Sequence, residues 1–286
     1  MRLAAIHTYP VKGCHRLDHD AARVQPWGLA GDRRWMIVDE SGVGVTQREA
    51  PELALIRPEP RRGGLLLRVA GRPDLDVPEP ADGDPVGVRV LSNHEPAPAR
   101  TADVAAGEWL TGHLDRKVRL VWLGDPTGRQ LPDADYREPD DRVSFADGFP
   151  LLLTSTASLD TVNAALLESG SPEAPLPMTR FRPNVVISGC RPWQEEEWSG
   201  RRLRIGSAVF RVARPCPRCV VTTVDQETGE KGREPLRVLA AIHRVNQKLL
   251  FGQNIIPDGV TGTATATAAT AAPTIAVGDP VQPLDQ

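Results

Sequence analysis

The sequence predicts a mainly β chain with a few helices, an α+β architecture in two β-rich parts. Three observations carry this. Ten short runs are rich in β-branched and apolar residues, and most are bounded by Gly, Pro, Asp or Asn, as strand ends are. Only three segments combine helical spacing with cap residues. Strands and helices do not alternate regularly, which argues against a doubly wound sheet and for barrels or sandwiches with helical decoration.

In chain order, "RLAAIHTYPV" and "RWMIVD" open the strand pattern, and "DESGVG" reads as a hairpin turn. "GLLLRVA" and "VGVRVL" follow. A helix is expected in "TADVAAGEWLTGHL", with Thr101 as N-cap and Asp103 in the first turn. In "KVRLVWL", Val118, Leu120 and Trp122 share one face, the period of a half-buried strand. The polar, Pro- and Asp-rich residues 123–142 read as the connection between the two parts. "PLLLTS" is a strand, and "SLDTVNAALLESG" a helix with Ser158 as N-cap and Gly170 as stop. "NVVISG", "RLRIG", "AVFRVAR" and "VVTTV" are further strands. "PLRVLAAIHRVNQKLL" is the third helix, with Pro235 at its first position and a stripe of Leu236, Leu239, Ile242 and Val245. Residues 261–274 are low-complexity and expected to be a flexible loop. "IAVGDPVQPL" returns to strand. The expected domains are residues 1–125 and 126–286.

The balance of 34 basic and 37 acidic residues, net charge −3, gives no global reason for a nucleic-acid or anionic-membrane partner. The start lacks the apolar run of a signal peptide, and no run reaches the roughly 20 residues that span a bilayer. A cytoplasmic protein is expected, and the Ala, Arg, Gly and Pro richness suggests a GC-rich bacterial source.

Four cysteines, Cys14, Cys190, Cys216 and Cys219, make no disulfide scaffold in a chain of 286 residues. Cys216 and Cys219 form a CxxC. A redox pair of this kind normally opens a helix, and here a β-branched run follows. A structural zinc site needs two ligand pairs, and no second pair exists, although His243 and Cys190 could approach through the fold. Two buried thiols are an equally good reading. In "RFRPNVVISG", an extended chain would put Arg180, Arg182 and Asn184 on one face, a donor array suited to phosphate or carboxylate, or else a solvated strand edge. Asp32 and Arg33 precede the second strand, Arg48 follows the hairpin, and Lys12 follows the first strand. Each is equally readable as a surface charge.

Seven segments together are more specific: "YPVKGC", "GLAGDRRWMIVDESGVGVTQRE", "FADGFPLLLTSTASL", "RFRPNVVISG", "RPCPRCVVTTVDQETG", "LFGQN" and "VGDPV". In this order they resemble MOSC-domain proteins in which an N-terminal MOSC β-barrel precedes the MOSC domain, especially the amidoxime reducers and their bacterial relatives. The resemblance spans roughly residues 1–284. It implies an N-terminal β-barrel-like domain, a MOSC β-barrel domain and binding of the molybdenum cofactor, a Mo-pyranopterin. Carried over by position, Cys219 is the implied metal ligand and catalytic thiolate. Lys12, Arg33, Arg182 and Asn184 are implied cofactor contacts, with Arg48 and Ser155 beside them. Gly13 stands where the amidoxime reducers tend to have Ser.

The resemblance implies an oxidoreductase that reduces N-hydroxylated or N-oxygenated small molecules. No iron–sulfur or flavin motif is present, so electrons are expected from a separate ferredoxin, flavin or haem protein. The alternative is a cofactor or sulfur carrier related to molybdenum-cofactor sulfurases, without small-molecule turnover. No nucleic-acid or membrane partner is expected.

Overall fold

The computed structural model describes residues 1–82, 84–260 and 272–284. Most of the low-complexity stretch, residues 261–271, lies outside the described residues. A nine-stranded sheet dominates, in the order Val281–Leu284, Arg202–Ile205, Ala208–Pro217, Lys248–Asp258, Leu151–Ser155, Val185–Ser188, Arg2–Thr8 and Leu17–His19, with Arg244–Val245 hairpinned onto Lys248–Asp258. Its pairs are antiparallel except Leu151–Ser155 with Val185–Ser188, which are joined through helix α2, Thr156–Glu168. Parallel neighbours need such a crossover.

The first strand therefore joins, together with Leu17–His19 at the sheet's end, a sheet built otherwise from the second half of the chain. Leu3 and Ile6 share one buried core with Leu153, Val185, Ile187, Leu203, Phe210 and Ile255. Thr274–Ala276 pairs with Ala21–Gln25, and Val281–Leu284 with Arg202–Ile205, so "IAVGDPVQPL" does return to the sheets. A four-stranded sheet (Trp35–Val38, Arg119–Trp122, Ala97–Thr101, Val86–Val88) and a three-stranded one (Arg57–Arg61, Gly64–Arg68, Leu75–Pro78) occupy the first half. Alternation in "KVRLVWL" is real as far as Arg119, but beyond it both faces are buried. Val118 and Leu120 enter one core, Val121 and Leu123 another.

Four local expectations are corrected. Helix α1, Val104–Leu114, is capped by Asp103, which accepts from Ala106 N at 2.9 Å; Thr101 ends a strand instead. Helix α2 begins three residues earlier than expected and is capped by Ser155, which accepts from Ser158 N at 3.1 Å. Helix α3, Leu236–Ile242, is short. Asn246 and Gln247 take positive φ, 46° and 63°, and turn the chain back as a hairpin, leaving Ile242 and Val245 exposed.

The fourth correction concerns "VVTTV", which is a 3₁₀ turn, Val220–Thr223, and not a strand. Thr222 and Thr223 donate their hydroxyls to the carbonyls of Cys219 and Val220 at 2.8 and 2.9 Å. Buried Arg180 donates to the carbonyls of Thr222 and Thr223, both at 2.9 Å, and of Glu234 at 2.7 Å. Side chains thus satisfy groups that a ladder would otherwise serve, which overrides β-propensity.

Candidate functional site

A cleft of about 1130 Å³ is walled by both halves of the chain. Lys12, Arg33, Arg48, Arg182, Asn184 and Cys219 all line it; Ser155 does not. Nine Lys and Arg side chains line the cleft against three Asp and Glu, a surplus of six positive charges in a chain whose net charge is −3. Such a concentration is costly unless an anion enters, and it raises the local concentration of anions.

Ser155 is the corrected member. It is fully buried, caps α2 and donates to Glu195 Oε2 at 3.0 Å, with Ser158 Oγ 2.8 Å away. Ser158 donates to the other Glu195 oxygen at 2.7 Å. Burial pushes the Glu195 carboxyl up despite these bonds.

Asn184 lines the cleft, but its amide is saturated. Nδ2 donates to His7 O and Asp32 Oδ2, both at 3.1 Å, while Oδ1 accepts from Arg33 Nη1 and Leu152 N, both at 3.2 Å. Two donors and two lone pairs are all an amide has. Asn184 acts on the site by fixing Asp32 and Arg33. Asp32 is buried, accepts from Tyr9 N at 2.7 Å and ion-pairs with Arg33. Arg33 and Arg182 have φ of 48° and 53°, a left-handed conformation unusual for side chains of this size. Both guanidiniums lie over the Tyr9 ring, at 4.8 and 4.2 Å from its centroid. Arg180, by contrast, faces the Val220–Thr223 turn, because Met178–Phe181 is a 3₁₀ turn and the expected alternation fails.

Lys12 is buried and paired with Asp147, whose carboxyl faces the cleft and is half exposed. Burial pulls the Lys12 amine below its usual value, opposed by Asp147. Burial raises the Asp147 carboxyl, but the Lys12 charge and hydrogen bond outweigh it and bring it to about 2. Asp147 is therefore ionised at neutral pH, and its role is to hold Lys12. Burial lowers Arg182 to about 10.

Cys219 stands exposed at the N-terminal edge of the 3₁₀ turn, with Arg48 Nη2 at 3.6 Å from its sulfur. Cys216, three residues back, accepts from Arg218 Nη1 at 3.0 Å. The CxxC is thus asymmetric, each sulfur with its own arginine. Cys14 is buried at the opposite end of the chain, and burial pushes it to about 12. His243 bonds Glu196 at 2.7 Å and stacks on Trp193, so it does not join Cys216 and Cys219. Among the described residues no three His, Cys, Asp or Glu side chains converge on one point.

Gln47 and Gln226 fasten the cleft from behind. Gln47 Nε2 donates to Gly13 O at 2.6 Å and Gln226 Oε1 at 3.0 Å; Gln226 Nε2 donates to Gln47 Oε1 at 3.1 Å and Val224 O at 2.9 Å. Arg182 Nη1 donates to Gln226 Oε1 at 2.6 Å. Arginine can only donate and a carbonyl can only accept, so both amides have one workable orientation. Both fastened positions adjoin cations that line the cleft: Gly13 follows Lys12, and Gln47 precedes Arg48.

Sequence reasoning missed Arg129, Arg214, Arg218 and His94, all in the cleft wall. Arg214 and Arg218 had a signal, since they flank Cys216 in "RPCPRC". Arg129 and His94 had none. Among the described residues the buried Nδ1 of His94 has no hydrogen-bond partner, as is true of the Nε atoms of Arg214 and Arg218. Unpaired buried donors in a cation-rich cleft, with one exposed thiol at its wall, match what a phosphate-bearing, sulfur-ligated metal cofactor requires.

The family model for the MOSC N-terminal beta barrel domain matches residues 1–117, and that for the MOSC domain matches residues 140–282. Mitochondrial amidoxime-reducing component 1 of Homo sapiens is 31% identical over 300 residues, covering 99% of this chain and 83% of its own length. Mitochondrial amidoxime reducing component 2 of Homo sapiens is 31% identical over 250 residues, covering 83% of this chain and 71% of its own. Molybdenum cofactor sulfurase of Oryza sativa subsp. japonica is 31% identical over 268 residues, covering 88% of this chain; the chain spans about a third, 32%, of that protein. No helix among the described residues is long and apolar enough to cross a membrane. On these matches the chain belongs to the MOSC-domain family, in the form that carries an N-terminal MOSC barrel domain, and its function is related to the molybdenum cofactor.

Proposed function

We propose that the chain is a molybdenum-cofactor-binding oxidoreductase that reduces N-hydroxylated or N-oxygenated small molecules with electrons from a separate donor protein. The observation that carries this reading is the cleft itself: a surplus of six positive charges and an exposed Cys219 thiol, in one cavity. Lys12, Arg33 and Arg182 would hold the cofactor's phosphate, with the Gly13 backbone beside them. Cys219 would supply the soft sulfur ligand, and Arg48 would steady that sulfur. When bound, the cofactor supplies two-electron reduction of an N–O bond, while the protein supplies position and field. Asp32, Asn184 and Asp147 keep the cations where a ligand meets them without rearrangement.

The similarity to the sulfurase supports a second reading, a carrier that binds and hands on the cofactor without turnover. One preparation separates the two. Protein made in a cofactor-competent host is expected to contain molybdenum and a fluorescent pterin in near-stoichiometric amounts, and to reduce an amidoxime when dithionite supplies electrons. Absence of both metal and pterin sinks the cofactor reading; metal without turnover favours the carrier. Cys219→Ser is expected to change the molybdenum X-ray absorption spectrum, and Cys216→Ser to leave it alone; the reverse result reassigns the ligand.

A further inference from the structure

Residues 126–142 are acidic as a sequence, with three arginines against five carboxylates. Folding sorts these charges. Arg129, Arg137 and Arg142 all line the cleft, whereas Asp133 is the sole carboxylate of the five that does. Asp141 and Glu138 turn instead to Arg211, at 2.5 and 3.1 Å, and Asp135 and Asp140 are exposed. The three arginines make no ion pair with a carboxylate among the described residues, although the charge of Asp147 reaches Arg129. Arg142 donates to the carbonyls of Thr127, Pro139 and Asp141, and Arg129 to those of Ser144 and Ala146. Arg137 is exposed. Arg214 joins them from the Ala208–Pro217 strand. Its Nη2 is 3.0 Å from Asp133, its guanidinium lies 5.3 Å from the centroids of both Tyr136 and Phe149, and its buried Nε has no hydrogen-bond partner among the described residues. Among the described residues Asp133 is thus the single carboxylate in ion-pair contact with this group of four, and Asp147 acts on Arg129 at longer range.

The cofactor's phosphate does not account for this wall. A phosphate monoester carries about two negative charges at neutral pH, well below the cleft's surplus of six. Lys12, Arg33 and Arg182 already gather around Tyr9 and Asp147, and of the four wall arginines Arg129 is the one whose charge reaches Lys12 and Asp147.

We propose that the wall built by Arg129, Arg137, Arg142 and Arg214 is a second anion subsite, which takes the carboxylate or phosphate monoester of the small molecule that enters the cleft. Planar guanidinium forks suit either group. The inference rests on the reductase reading only for what happens to that molecule afterwards.

The test compares benzamidoxime with 4-carboxybenzamidoxime on cofactor-loaded protein. Wild-type kcat/KM is expected to favour the acid about tenfold at low salt, with the preference shrinking as salt screens the wall. Arg137→Gln is expected to bring the ratio towards one, and Arg137→Glu to invert it. Because Arg137 is exposed, neither change threatens folding. An acid-to-neutral ratio that is the same in wild type and Arg137→Glu overturns the proposal. If neither compound turns over, the reductase reading fails, and calorimetric binding of 4-carboxybenzamidoxime still decides the subsite: weaker binding by about tenfold in Arg137→Glu upholds it, and equal affinity overturns it.

Discussion

Glu227 illustrates how a single side chain joins distant parts of this chain. It takes hydrogen bonds from Arg16 at 2.7 Å, Arg57 at 2.8 Å and His15 at 3.1 Å, all from the first half. Its partial burial raises the carboxyl, but these three partners outweigh that and bring it to about 2. A depressed carboxyl stabilises the fold above its unfolded value, near 4.5, and that contribution is lost as pH falls through about 2. The side chain is half exposed, so the expected size is modest, about 1 kcal/mol or less. Urea midpoints of Glu227→Gln against wild type should differ at pH 6 and converge by pH 2; a difference constant over that range refutes the assignment. Residue identities were the most legible level. Lys12, Arg33, Arg48, Arg182 and Cys219 do meet in one cleft. Ser155 and Asn184 were harder, because hydroxyls and amides serve folds as readily as ligands, and their bonding partners lie 32 to 177 residues away or across a helix cap.

At the scale of elements, strands bounded by Gly and Pro were readable, but turns held by remote side chains were not. The Val220–Thr223 turn depends on Arg180, and nothing local to "VVTTV" announces that. The Gln47–Gln226 pair is equally invisible in sequence, its members standing 179 positions apart. It is also the element-scale device most open to measurement. Gln47→Leu and Gln226→Leu each leave buried donors or acceptors unmet, at about 1–3 kcal/mol apiece. Since the two share bonds, the double variant should lose less than the sum by about 0.5–3 kcal/mol in denaturant unfolding. Strict additivity would mean that the pair does not act as a unit.

For the whole molecule, the strand order matters more than the boundary expected near residue 125. Arg2–Thr8 sits between Val185–Ser188 and Leu17–His19, and Ala21–Gln25 pairs with Thr274–Ala276. Residues 126–286 expressed alone are therefore expected to lack a cooperative melting transition, and a fusion restoring residues 1–30 to regain one; an isolated 126–286 segment that melts cooperatively would count against this. A mainly β class in two parts was legible because local period and punctuation record it. The return of the first strand to a distant sheet was not, because no local pattern encodes which edge a strand will join. The same topology has a consequence during synthesis. Thr8 leaves the ribosome roughly 180 residues before its neighbours at Val185–Ser188 exist, a delay of about ten to forty seconds at ordinary elongation rates. Through that interval an apolar strand carrying Leu3 and Ile6 has no native partner on one side. The nascent chain would then depend on slow growth conditions or chaperone cover to reach its sheet, and production yield should respond to translation rate and temperature before it responds to the stability of the finished fold.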